Sequence, residues 1–231
     1  MRAVFAALGL AALAMTAPAA AQTPAPSPPA GPVHVVTYLE FAGDFVTRAR
    51  DLLVDYRGKT EREPGEARLG AFEEIGQPNR FVLLETWPTA AARETHAQSA
   101  GGAPRADWLK QGELAPADAR LHKNYDMAAA KAPTASAVYV FTHVDVSPPG
   151  LPALEAILKP LAEKSRTEPG VARFDIVQST TRPNHFTFIE AWESEAAAKA
   201  HGLAAHTREF REKLHPLLGA LYDQRFYKFI P

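Results

Sequence analysis

FTFIEAWESEAAAKAH, residues 186–201, reads as a strand running into a helix. It sets an ionisable Glu190 on the same strand face as Phe186, Phe188 and Trp192 and ends on His201. The chain holds a second version of this stretch, FVLLETWPTAAARETH, at residues 81–96. Laying residues 33–96 over 138–201 needs no gap, each position meeting its counterpart 105 places later. Of the 64 positions 18 are identical, where unrelated sequence of this composition gives roughly one in sixteen. The pairs include Glu63-Pro64-Gly65 with Glu168-Pro169-Gly170, Pro78-Asn79 with Pro183-Asn184, Glu85 with Glu190, Trp87 with Trp192, and His96 with His201. This is a tandem duplication. Beyond His96 the first copy reads as carrying about five extra residues around SAGGAPRADW, which aligns Leu114, Pro116 and Leu121 with Leu214, Pro216 and Leu221.

Each copy predicts the same order of elements. VHVVTYLEF (33–41) and VYVFTHVDV (138–146) are rich in β-branched and aromatic residues and read as strands. Leu151, Leu154, Ile157, Leu158 and Leu161 recur at helical steps, as do Phe45, Ala49, Leu52, Leu53 and Tyr56. Pro160 should kink its helix, and Glu-Pro-Gly should end each one. A second strand, roughly 171–179, turns at Arg182-Pro183-Asn184 into the third, with Asn79 and Asn184 at the hairpin turns. Ser194 and Thr89 are positioned to cap the next helix, and LYDQRFYKFI closes the unit as a strand. The order β-α-β-β-α-β defines an α+β protein of two ferredoxin-like repeats. On the third strand Thr187, Ile189 and Ala191, like Val82, Leu84 and Thr86, form a second apolar or small face. It needs its own cover, and the other repeat, packed sheet to sheet, supplies it.

The domain reading is therefore a first repeat at 33–126, a linker at 127–137 and a second repeat at 138–231. Ahead of them, residues 1–21 have an early Arg2, an apolar run from Ala3 to Met15 and small Ala19 and Ala21, the layout of a secretory signal peptide. That run is too short for a spanning helix of roughly 20 residues. Export to the periplasm or medium is expected, with no membrane span after cleavage. QTPAPSPPAGP, residues 22–32, reads as a tether. The 231 residues are 46% hydrophobic with net charge −1, and the basic residues are scattered, which excludes a nucleic-acid grip. The absence of cysteine removes disulfides, thiolate metal sites and a cysteine nucleophile.

With Glu-Pro-Gly after the first helix, a Pro-Asn hairpin, Glu-x-Trp, a His nine residues after the Trp and another five beyond, the chain resembles the antibiotic biosynthesis monooxygenase domain. The resemblance covers about 33–126 and 138–230. It implies that the two repeats form within one chain the dimeric αβ-barrel that family members build from two subunits, a pseudo-dimer that could pair again as a homodimer. Activities in the family include cofactor-free oxygenation of phenols, quinol oxidation and oxygenolytic haem breakdown. The resemblance carries Glu190, Trp192, His201 and His206 onto the second repeat. The first repeat keeps Glu85, Trp87 and His96 but has Gly101 or its neighbours in place of the later His, so the second copy is expected to be the working half. Neither first strand has the Asn typical of the haem-degrading branch.

Oxygenating an electron-rich phenol without flavin or metal needs a flat apolar wall and a base. Trp192, Phe186, Phe188 and Tyr139 can supply the wall, and an imidazole, which exchanges protons near neutral pH, suits the base. Glu190 near His201 could fix its tautomer. Glu190 could equally be a structural carboxylate paired with Arg173 or Arg225, Trp192 a core residue, and His201 a helix-end residue reaching carbonyls. His143 shares a strand face with Tyr139 and Phe141 and is a further base candidate, or a satisfied core histidine. On one continuous helix His201 and His206 stand about 140° apart, so no metal is expected between them, and no cofactor. The leading expectation is an exported monooxygenase acting on a small aromatic or quinol with dioxygen. The rivals are a non-catalytic binding or scaffold protein and a haem-binding protein.

Overall fold

The computed structural model describes residues 29–65, 67–99, 111–134 and 136–231. The leader, most of the tether and most of the SAGGAPRADW stretch lie outside these residues. The first repeat contributes β1 (Val33–Glu40), α1 (Val46–Thr60), β2 (Arg68–Glu74), β3 (Gln77–Trp87), α2 (Ala90–Gln98) and β4 (Asp118–Asp126). The second contributes β5 (Val138–Asp145), α3 (Leu151–Ser165), β6 (Val171–Ser179), β7 (His185–Trp192), α4 (Glu195–Leu203), α5 (Ala205–Leu214) and β8 (Asp223–Phe229). Thr89 and Ser194 cap their helices by accepting from Ala92 N and Ala197 N. α3 continues through Pro160 to Ser165. The first hairpin turns at Gly76, with φ of 85°, while Asn79 already belongs to β3 and donates to the Phe41 carbonyl.

The strands form one closed barrel in the order β1-β3-β2-β8-β5-β7-β6-β4. Each repeat keeps the ferredoxin-like order within itself, and the two sheets face each other as the duplication implied. They also join along both edges: β2 pairs with β8 through Phe72 and Phe229, and β4 pairs with β6 through His122 and Ser179. Closure removes the unpaired edges that an open sheet exposes. The last strands correct one reading of the sequence. Tyr38 pairs with Asp118 and His143 with Asp223, so Asp118-x-Arg120 matches Asp223-x-Arg225 at the same offset of 105. The alignment of Leu114, Pro116 and Leu121 five residues out of step does not hold.

Alternation along each strand divides the molecule into three cores. Phe186, Phe188 and Trp192 lie under α3 and α5 with Leu154, Leu158 and Phe210, and a matching cluster around Leu53, Phe81 and Trp87 lies under α1. Inside the barrel, Val36, Phe72, Val82 and Leu84 of the first repeat meet Phe141, Val177, Ile189 and Tyr227 of the second. Burying one such side chain stabilises the fold by roughly 1.5–3 kcal/mol, and here the contacts cross between the repeats.

Candidate functional site

On the helix side of the second repeat, Trp192 Nε1 donates to Glu190 Oε2 at 2.8 Å and Thr142 Oγ1 lies 3.4 Å from Oε1. The His201 ring stacks on Trp192 with centroids 4.7 Å apart, and its Nε2 stands 3.9 Å from Glu190 Oε2. Burial raises the Glu190 carboxyl above its ordinary range, against the opposing pull of His201 and the Trp192 and Thr142 donors. The other ring nitrogen, His201 Nδ1, meets Glu168 Oε1 at 2.6 Å. Glu168 is the acid of the Glu-Pro-Gly turn, which Gly170 completes at φ 78°. The first repeat repeats the plan with one change. His96 Nδ1 meets Glu63 Oε2 at 2.8 Å, Trp87 Nε1 donates to Glu85, and the Tyr56 hydroxyl bridges Glu85 and His96 Nε2.

These residues come together as the sequence grouped them, but inside packed cores. Glu190, Trp192 and His201 are all at most 4% exposed, Phe186 and Phe188 lie in the same cluster, and none of the five lines the cavities at the two barrel ends, the one between α3 and α5 or the one beside Ile75 and Ile230. Arg173 and Arg225 pair with Asp175 and Asp223 instead of Glu190.

His143 lies on the other side of the sheet, inside the barrel. It lines a cavity of about 890 Å³ at one barrel end, together with His122, Asp145, His185, Arg120 and Tyr222. His143 Nε2 and His185 Nδ1 approach Asp145 Oδ1 at 2.8 and 2.7 Å. Burial favours the protonated Asp145 carboxyl, but His143, His185 and Arg120 outweigh it and hold the group below its usual range. His122 Nε2 meets Thr187 Oγ1 at 3.0 Å, and burial pushes its pKa down to about 3, so it is a neutral imidazole. Burial raises Tyr222 to about 12; its ring borders the cavity, but its hydroxyl meets Arg211 and Thr142 on the helix side of the sheet. Two ion pairs, Asp118 with Arg120 and Asp223 with Arg225, stand at equivalent positions, and both guanidiniums lie over the Tyr38 ring.

Tyr139, grouped with the aromatic wall by sequence, lines a different cavity of about 440 Å³ at the other barrel end, beside His34, Phe72 and Arg173. His122, Asp145 and His185 were missed because they come from β4, β5 and β7, which only the barrel register brings together. The period-two alternation of HVD at 143–145 was the one available signal for Asp145. In the sequence Glu168 signals only the helix stop of Glu-Pro-Gly.

Fold and repeat together define an αβ-barrel of the kind usually assembled from two subunits, here built by one chain. A family model described as antibiotic biosynthesis monooxygenase matches residues 32–101 and 137–213, once per repeat, and the chain belongs to that family. It is similar to YcnE of Bacillus subtilis (strain 168), provisionally named a monooxygenase, at 38% identity over 63 residues. That match covers 27% of this chain and 66% of the relative, just under two thirds of its length. Among solved structures, a provisionally named monooxygenase of Fusobacterium nucleatum superposes with a TM-score of 0.76 at 16% identity, covering 87% of this chain and 94% of that one. A second, from Lactobacillus acidophilus, gives 0.70 at 14% identity over 87% and 95%. An anthrone oxidase-like protein gives 0.68 at 11% identity over 86% and 91%. At these identities the likeness is one of fold.

Proposed function

We propose that the protein is an exported oxygenase that oxidises a small phenol or quinol with dioxygen in the barrel-end cavity, its substrate supplying the electrons. The observation that carries this reading is His143, backed by Asp145, on the wall of a cavity large enough for a small polycyclic aromatic. Family membership supports the reaction class, and the anthrone oxidase-like neighbour of similar fold is consistent with the substrate class. The leader-like layout of residues 1–21 supports export.

His143 takes the phenolic proton, and the ionised Asp145 stabilises the imidazolium that forms. The phenolate passes an electron to dioxygen, and recombination of the radicals forms the carbon–oxygen bond. For an anthrone-type carbon bearing two hydrogens, one oxygen atom becomes the carbonyl and the other leaves as water, so no external reductant enters. A quinol would give its quinone and hydrogen peroxide. Dioxygen uptake with a panel of hydroquinones and anthrone-type phenols, repeated with chelator present, is expected to show turnover with at least one member. Tight binding without uptake by any member would replace this reading with that of a binding protein.

A further inference from the structure

We infer that Glu168, His201 and His206 bind one divalent transition-metal ion of the zinc class on the helix side of the second repeat. The chain bends at Ala204, whose ψ of 145° ends α4 and starts α5. His201 and His206 therefore belong to different helices, and the 140° separation expected on a single helix does not apply. The bend brings His206 Nε2 to 2.9 Å from Glu168 Oε1, the same oxygen that meets His201 Nδ1 at 2.6 Å. The three donor atoms lie within 4.8 Å of one another. Ligand atoms around tetrahedral zinc stand roughly 3.3 Å apart, so a small outward movement of the donors accommodates the ion.

Three further observations point the same way. His206 Nε2 is buried with no aligned hydrogen-bond partner despite its close approach to Glu168. The rear nitrogen of His201 faces the Glu190 carboxylate, and Trp192 stacks on its ring, the kind of outer support that fixes a metal-binding imidazole. His206 also borders a cavity of about 80 Å³ between α3 and α5, which gives its ring space to shift as the donors move outward. Lys164 and Lys213 line that cavity too, with Lys213 paired to Glu209, while Glu168 and Glu190 give the site two carboxylates. The other cluster of two histidines and an acid, His143, Asp145 and His185, is bordered by Arg120 and Arg182, whose charges oppose a cation there. The first repeat has Glu63 and His96 but Gly101 where His206 would fall, so one ion per chain is expected.

The test is calorimetric titration of the tag-free, chelator-treated full chain with Zn²⁺, followed by thermal melting. One equivalent should bind and raise the melting temperature. Glu168→Gln and His206→Ala should each abolish the stoichiometric site while melting cooperatively, whereas Asp145→Asn and Glu63→Gln keep it. No saturable binding by the parent chain, or a site that survives both Glu168→Gln and His206→Ala, would overturn the assignment. Either result leaves the cavity reading standing, because the two sites occupy opposite faces of the sheet.

Discussion

Tyr56 and Leu161 hold equivalent positions 105 residues apart, and this single difference changes how each buried carboxylate is neutralised. In the first repeat the Tyr56 hydroxyl links Glu85 to His96, whereas in the second Leu161 leaves Glu190 to Trp192, Thr142 and the more distant His201. Tyr56→Phe should therefore cost ~1–3 kcal/mol in urea denaturation by weakening the satisfaction of a buried acid, with dioxygen uptake per folded molecule unchanged. His122 makes a second prediction at this scale. The unfolded chain protonates it near the ordinary 6.5, but the folded chain, where burial dominates and His143, His34 and Arg120 add positive charge, does so only at about 3. The unfolded state binds more protons between those values. Stability is full above pH 6.5 and falls as pH drops toward 3, by up to ~1.4 kcal/mol per unit from this group. Urea midpoints at pH 7 and 5 should separate more for the parent than for His122→Asn. Equal separation would show that His122 is not the source.

Element by element, the sequence reading succeeded where periodicity and punctuation are local. The strands at 33–40, 138–145 and 171–179, the caps at Thr89 and Ser194 and the breaks at Glu-Pro-Gly all follow from such signals. Gly170 belongs with them. It sits at φ 78°, and an added Cβ would lie 2.8 Å from Ala197 Cβ. Gly170→Ala should accordingly lower stability by more than ~1 kcal/mol, measured by denaturant unfolding, and loosen the placement of Glu168. The bend at Ala204 has one weak local signal, Gly202 two residues before it, while alanine itself favours helix. Missing it made two adjacent histidines look divergent. Likewise, the strand face shared by Glu190 and the aromatics was read correctly, but alternation alone could not say which face the helices cover.

For the molecule as a whole, duplication revealed the paired repeats, while edge closure through β2–β8 and β4–β6 required the register of strands far apart in sequence. That closure also places the candidate cavity, since His122 comes from the first repeat and His143 and His185 from the second. Residues 138–231 alone would expose the lumen face of Phe141, Val177, Ile189 and Tyr227 together with the free edges of β6 and β8. In gel filtration the isolated repeat is expected to run as a dimer that rebuilds a closed barrel, and a stable folded monomer would contradict this. The proposed oxygenation belongs inside the barrel, beside His143, and not in the helix-side core around Trp192. Dioxygen uptake with the best substrate of the panel, normalised to folded protein, separates the two locations. His143→Ala should lose activity by ~10²-fold or more while Trp192→Phe keeps the parental rate. Full activity in His143→Ala, with loss in Trp192→Phe, would move the working site to the other face of the sheet.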